Sequence, residues 1–204
     1  MQYPSPRALL EKHGLRAKKS WGQNFLGDEE ILDHIARLAV EAAGDRVIEL
    51  GAGLGHLTAR LLARGADVIA VERDRDLAAV LREELGGRIR LLEADAARLE
   101  YLPLARGGKV AVVGNLPYHL TSPILFGLLD QADVVGRAVL LVQREVAERL
   151  AAAPGRRRGA SSPCSSNTAR RSRWSAACRR AHSSRRRRSR ARSCGSRSGR
   201  RVLR

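Results

Sequence analysis

The sequence predicts an α/β fold built on a doubly wound, parallel sheet. Short runs rich in Val, Ile and Leu alternate with amphipathic stretches over residues 28–154, a pattern typical of βαβ units. The run 67–72 is almost continuously apolar, as expected of a parallel strand buried on both faces. Three glycines, Gly51, Gly53 and Gly55, follow another apolar run and allow a tight turn from strand to helix. Ligands of such sheets bind at the carboxyl ends of the strands.

Local signals place the individual elements. Asp28 is a candidate N-cap of a helix that should stop at Gly44. Pro123 suits the first turn of a helix that starts near Thr121 or Ser122. The predicted strands are 46–50, 67–72, 88–93, 109–114 and 137–142, and the other predicted helices are 8–13, 29–43, 57–63, 75–85 and 144–153.

Composition divides the chain into three parts: a basic N-terminal segment, 1–27, a main domain, 28–154, and an Arg/Ser-rich tail, 155–204. The net charge is +17, but residues 1–154 hold 20 Lys and Arg against 21 Asp and Glu, whereas the tail holds 18 Arg, 12 Ser and no acid. All three cysteines lie in the tail without the spacing of a zinc site. No run resembles a membrane span or a signal peptide. We therefore expect a cytoplasmic protein that binds no metal and no membrane.

Two hypotheses account for the tail. A genuine Arg/Ser tail would be disordered alone and would bind RNA by neutralising phosphates. We favour translation in a shifted reading frame, because Arg outnumbers Lys by 16 to 4 in residues 1–154, as GC-rich coding DNA would give. In both cases the strand 137–142 should be left as an unpaired apolar edge and a site of aggregation.

Polar residues follow several predicted strands and should meet at one edge of the sheet. Glu72, 17 residues after Gly55, is placed to accept hydrogen bonds from ribose hydroxyls, or it is a solvated strand-end acid. Asp95 could accept from the amine of an adenine ring, or it could cap a helix. Glu49 opens an E-x-G-x-G-x-G spacing that differs from the dinucleotide fingerprint, and its carboxylate suits a cationic ligand better than a pyrophosphate.

The turn Asn115-Leu116-Pro117-Tyr118 is the most specific motif. Proline holds the turn, so that the Asn115 amide oxygen and a main-chain carbonyl can both accept from one exocyclic amine. Tyr118 offers a flat face on which a flipped base can stack. An amine held in this way can direct its lone pair at an electrophilic methyl group. No strong base is needed if the leaving group is a neutral thioether. The alternative is a proline turn with a packed tyrosine.

Three motifs together resemble the ribosomal RNA small-subunit adenine dimethylase family, which includes the erythromycin-resistance methylases. They are Gly22-Gln23-Asn24-Phe25-Leu26, Glu49-x-Gly51-x-Gly53-x-Gly55 and Asn115-Leu116-Pro117-Tyr118, and the resemblance runs from about residue 18 to residue 155. It implies a Rossmann-like class I methyltransferase sheet, here incomplete at its C-terminal strands. It also implies S-adenosylmethionine as methyl donor and N6,N6-dimethylation of two adjacent adenosines in a hairpin loop near the 3′ end of small-subunit (16S) rRNA.

The resemblance also implies roles for single residues and a partner. The implied cofactor contacts are Asn24, Leu26, Glu49, Gly51, Gly53, Gly55, Glu72, Asp95 and Asn115. Asn115, Leu116 and Tyr118 would act on the target adenine as catalytic residues, and Phe25 would be a second stacking partner beside Tyr118. The implied partner is the assembling small ribosomal subunit, bound by a monomer.

Two other functions stay open. An NAD-dependent oxidoreductase would also use the glycines and Glu72, but it leaves the turn 115–118 unexplained. A non-catalytic ribosome-assembly or RNA-binding protein would use the domain as a platform and the tail as an anchor.

Overall fold

A computed structural model describes residues 3–16, 25–151 and 200–203. Predictions that concern Gly22, Gln23, Asn24 and residues 155–199 lie outside these ranges. The helices are α1 (Pro6–Lys12), α2 (Glu29–Ala39), α3 (His56–Ala63), α4 (Arg75–Leu85), α5 (Leu102–Ala105), α6 (Tyr118–Asp130) and α7 (Arg144–Ala151), with a 3-10 turn at Ala96–Arg98. The strands are β1 (Arg46–Leu50), β2 (Asp67–Glu72), β3 (Arg90–Glu93), β4 (Val110–Asn115), β5 (Val135–Gln143) and β6 (Arg200–Leu203).

The strands form one sheet in the order β3-β2-β1-β4-β5-β6, in which the first five are parallel and β6 is antiparallel to β5. Successive residues of a strand alternate between the two faces. Val47 and Val113 pack with α2 and α3 on one face. Ile48 and Val112 pack with Ile124 of α6 on the other. The predicted doubly wound sheet, buried on both sides, is confirmed.

The end of α2 differs from the prediction, because the helix stops at Ala39 and not at residue 43. The Asp45 carboxylate accepts hydrogen bonds from the backbone N–H groups of Glu41 and Ala42, which fixes a turn there. The Arg137 guanidinium of β5 donates to the Ala39 carbonyl at 2.7 Å and so satisfies a carbonyl at the helix end.

The start of α6 also differs from the prediction. The helix begins at Tyr118, directly after Pro117 in an extended conformation, so that Pro123 lies inside the helix and not in its first turn. The bounds of β1, β2 and α4 agree with the prediction, and those of the other predicted elements, apart from α2 and α6, differ by at most two residues. Helix α5 was not predicted. Among the described residues, no helix has the length and apolar character to cross a membrane.

The predicted open edge at β5 is wrong. The backbone of β6 pairs with β5 in antiparallel register, from Leu140 opposite Leu203 to Gln143 opposite Arg200. The backbone groups of residues 140–143 at this edge of β5 therefore face a partner strand within the chain.

Candidate active site

A cleft of about 370 Å³ opens at the carboxyl ends of β1, β2, β3 and β4. Of the residues predicted from sequence, those in its wall are Phe25, Leu26, Glu49, Gly51, Gly53, Glu72, Asp95 and Asn115. The sheet thus brings together side chains that lie up to 90 residues apart in the chain. Gly55, Leu116 and Tyr118 are not in the cleft wall, and Asn24 is outside the described residues.

The glycine loop, residues 51–55, forms the floor of the cleft. Gly51 and Gly53 have φ angles of +69° and +60°, a region that side chains disfavour. The N–H groups of Gly51 and Ala52 both donate to the Val71 carbonyl, at 2.8 and 3.2 Å. A Cβ on Gly53 would lie 3.5 Å from the Phe25 ring. This is an ordinary van der Waals distance, so the positive φ, and not the Phe25 ring, is the reason for glycine at position 53.

Glu72 anchors this loop to the end of β2. One carboxylate oxygen accepts from the Gly53 N–H, and the other accepts from the N–H groups of Arg73 and Asp74, each at 2.8 Å. A carboxylate offers about four acceptor positions, so one position remains for a ligand hydroxyl. Because the Gly53 N–H donates to Glu72, it is not available to a phosphate.

Glu49 is buried, with 2% of its surface exposed, and lies beneath the loop. The Thr58 hydroxyl donates to it at 2.6 Å. Burial raises the pKa of Glu49 to about 8, aided by the nearby charge of Glu72 and opposed by the hydrogen bond from Thr58. Burial therefore favours the protonated form of Glu49 at neutral pH, which weakens the expectation that it offers a negative charge to a cationic ligand.

This buried acid should make stability depend on pH. Below the ordinary pKa of a glutamate, about 4.3, both the folded and the unfolded chain hold the proton. Between there and about pH 8 only the folded chain holds it, so the free energy of unfolding falls as pH rises. The fall should be roughly 4 kcal/mol between pH 5 and 8, at about 1.4 kcal/mol per pKa unit.

Urea unfolding of Glu49→Gln between pH 5 and 9 tests this expectation. The variant should lose most of the downward slope that the natural chain shows. Glu100→Gln, the same change at an exposed position, should retain the slope. If the free energy of unfolding depended on pH in the same way in the natural chain and in Glu49→Gln, the raised pKa assigned to Glu49 would be contradicted.

Asp95 has the capping role that the sequence offered as one alternative, and its contact with an adenine amine stays a prediction. One carboxylate oxygen caps the 3-10 turn by accepting from the Ala97 N–H at 3.0 Å. The other lies 3.6 Å from the Arg73 guanidinium. Because the side chain is only one third exposed and lies in the cleft wall, it can also accept from a ligand.

Two residues of the turn 115–118 line the cleft, one is buried in the core and one is exposed. Asn115 and Pro117 lie in the cleft wall. The Leu116 side chain is buried in the core, 3% exposed, and its N–H donates to the Leu141 carbonyl at 3.1 Å. Tyr118 begins α6 and is 64% exposed, outside the cleft wall. Burial of the Leu116 side chain leaves only the main chain of this residue for the predicted adenine contact, which stays a prediction, and the Tyr118 ring faces solvent.

The sequence analysis missed other residues of the cleft. His119 and Leu120, in the first turn of α6, belong to the wall, and a correct helix start would have indicated them. Leu54 and His56 belong to it as well, at the junction of the glycine loop and α3.

Gly55 serves packing and not the cleft. Its φ is +82°, and an added Cβ would lie 2.7 Å from Leu85 Cδ1, 2.8 Å from the Tyr3 hydroxyl and 3.0 Å from Leu81 Cδ2. Such distances are shorter than side-chain atoms tolerate. Close packing behind the loop therefore requires glycine at position 55, and the cofactor contact of Gly55 stays a prediction.

The fold and the cleft define a Rossmann-like methyltransferase domain. Residues 14–165 match the family described as ribosomal RNA adenine dimethylase. The ribosomal RNA small subunit methyltransferase A of Anaeromyxobacter dehalogenans (strain 2CP-C) is 70% identical over 166 residues, which cover 76% of this chain and 58% of that protein. The protein of the same name from Myxococcus xanthus (strain DK1622) is 56% identical over 153 residues, which cover 75% of this chain and 54% of that protein.

Two solved structures of methyltransferases are also similar to this chain. The 23S rRNA methyltransferase ErmE superposes with a TM-score of 0.55 and 35% identity, over 61% of this chain and 50% of that one. A dimethyladenosine transferase from Plasmodium falciparum superposes with a TM-score of 0.54 and 31% identity, over 64% of this chain and 47% of that one. This chain belongs to the ribosomal RNA adenine dimethylase family. It spans 58% or less of the length of the relatives named above.

Proposed function

We propose that this chain binds S-adenosylmethionine and transfers methyl groups to N6 of adenosines in small-subunit rRNA. The observation that carries the proposal is the placement of Asn115 in one cleft with the glycine loop and Glu72. The resemblance of the motifs extends the proposal to two adjacent adenosines in a hairpin loop near the 3′ end of the rRNA. The proposed partner is the assembling small ribosomal subunit, bound in the cytoplasm by a monomer without a metal.

The groups in the cleft fit S-adenosylmethionine. Glu72 offers one acceptor position for a ribose hydroxyl, and Asp95 can accept from an adenine amine. Acidic groups suit a cationic nucleoside. Among the described residues of the wall, Arg73 is the one side chain that is always cationic, and it lies beside Asp95. A pyrophosphate fits less well, because the Gly53 N–H already donates to Glu72. This favours S-adenosylmethionine over a nicotinamide dinucleotide.

The residues of the turn would hold the methyl acceptor. When bound, S-adenosylmethionine supplies a methyl group on a sulfonium, which leaves as a neutral thioether. The Asn115 amide oxygen would accept from the N6 amine of adenine and orient its lone pair. Phe25, which packs on Gly53 in the cleft wall, and the exposed ring of Tyr118 offer faces for stacking the base.

Calorimetric titration of the full chain tests the cofactor assignment. The chain should bind S-adenosylmethionine and not NAD. Glu72→Gln should weaken binding by roughly 10- to 100-fold, because a charge-assisted hydrogen bond is lost and an amide NH₂ replaces an acceptor of backbone N–H groups. Glu100→Gln makes the same change at an exposed position outside the cleft and should leave the affinity within about twofold of the natural chain.

Two results would contradict the proposal. Binding of NAD at the expense of S-adenosylmethionine would favour the oxidoreductase. A chain that binds S-adenosylmethionine but transfers no methyl group to small-subunit rRNA would favour the non-catalytic assembly protein.

A further inference from the structure

Two hydrogen bonds of opposite direction join residues 3–16 to the glycine loop and to the first residue of α3. The Tyr3 hydroxyl donates to the Leu54 carbonyl at 2.8 Å. The His56 Nε2 atom lies 2.9 Å from the Pro4 carbonyl, and it must carry the proton because a carbonyl can only accept. The two rings also meet edge to face, with centroids 5.2 Å apart and planes at 88°. Tyr3 and Pro4 therefore contact both ends of the segment 54–56.

Helix α1 supports the cleft wall from behind. Leu9 is fully buried and packs in one cluster with Leu54, Leu77 and Val80. Leu54 and Leu77 also line the cleft, and Phe25, another residue of the wall, packs against the same cluster. The apolar residues of α1 and of the cleft thus share one layer of side chains.

The far end of α1 is held against α4. Lys12 Nζ lies 3.1 Å from Glu83 and 2.6 Å from Glu84, and His13 Nε2 lies 2.8 Å from Glu84. Lys12 and Glu83 are more than half exposed, so their ion pair contributes little stability, whereas His13 and Glu84 are mostly buried. His13, Glu83 and Glu84 could in principle hold a metal ion, but Lys12 already lies among their carboxylates.

Tyr3 and Glu72 bind neighbouring backbone groups of the glycine loop. Glu72 holds the Gly53 N–H, and Tyr3 holds the carbonyl of the next residue, Leu54. Burial raises the pKa of Tyr3, with smaller contributions from Glu84 and Glu49, so the hydroxyl keeps the proton that it donates. The missing Cβ of Gly55 leaves the space that the hydroxyl occupies.

We propose that Tyr3 is a positioning residue for the cofactor: by holding the Leu54 carbonyl, it fixes the glycine loop in the conformation that binds S-adenosylmethionine. The inference rests on the proposed function. It gives the N-terminal segment a role in the affinity for the methyl donor. Tyr3 does not itself belong to the cleft wall.

The substitution Tyr3→Phe keeps the ring and removes only the hydroxyl. The dissociation constant for S-adenosylmethionine, measured by calorimetry on the full chain, should rise about fivefold, as expected for one hydrogen bond. In methyl transfer, KM for the donor should rise in the same proportion, while kcat at saturating donor should stay unchanged. Tyr3→Ala, which also removes the contact with the His56 ring, should raise the dissociation constant further.

Tyr101→Phe is the matched control, because Tyr101 is buried in the core and is not in the cleft wall. This variant should bind S-adenosylmethionine within about twofold of the natural chain. An unchanged dissociation constant in both Tyr3 variants would overturn the inference, and so would equal weakening in Tyr3→Phe and Tyr101→Phe, which would indicate a loss of stability alone. If the natural chain itself bound no S-adenosylmethionine, the proposed function would fail and the role of Tyr3 with it.

Discussion

Replacing Asn115 by alanine is expected to lower kcat for methyl transfer by roughly 100- to 1,000-fold, the range seen when one positioned hydrogen-bonding group of an active site is removed. Asn115 lies in the cleft wall beside Pro117, where its amide oxygen can hold the acceptor amine. Without this acceptor, the lone pair of the amine is no longer directed at the methyl group. Methyl transfer to rRNA at saturating S-adenosylmethionine measures the effect.

Two further measurements show whether Asn115 acts on the reaction itself. Asn115→Asp retains an acceptor oxygen and should keep more activity than the alanine variant. The dissociation constant for S-adenosylmethionine should change by less than about tenfold in both variants, because other groups of the cleft bind the donor. A kcat for Asn115→Ala within threefold of the natural chain would contradict the role given to the turn.

Gly55→Ala is expected to reduce the free energy of unfolding by about 3 kcal/mol, combining the strain of a left-handed backbone with overpacking. The φ of +82° disfavours any side chain, and the new methyl group would press on Leu85, Leu81 and the Tyr3 hydroxyl. Urea unfolding monitored by circular dichroism measures the loss.

Gly44→Ala separates the two causes. Gly44 has a similar φ of +87°, but an added Cβ would meet no atom within 4 Å. The control should therefore lose only the backbone part, roughly 1 kcal/mol. Equal losses in the two variants would show that the contacts behind Gly55 do not matter.

Local patterns predicted the strands of the sheet and most of the cleft. The alternation of apolar runs and helices was sufficient for β1 to β5, and the polar residues at their ends, such as Glu72 and Asp95, do meet in one cleft. These predictions succeeded because parallel strands place their carboxyl ends at the same edge.

Contacts between distant parts of the chain were not predictable in this way. Helix α2 ends early because Arg137, nearly 100 residues away, binds its last carbonyl groups. The protonated state of Glu49 follows from burial, which no local pattern reports. The buried side chain of Leu116 and the exposed ring of Tyr118 depend on where α6 begins.

The pairing of β6 with β5 joins the last residues of the Arg/Ser-rich tail to the sheet. The chain leaves the domain at the end of α7, and β6 returns to the same edge at Arg200. The four residues of β6 pair with residues 140–143 of β5. Another strand can therefore pair with this part of the edge only after it displaces β6.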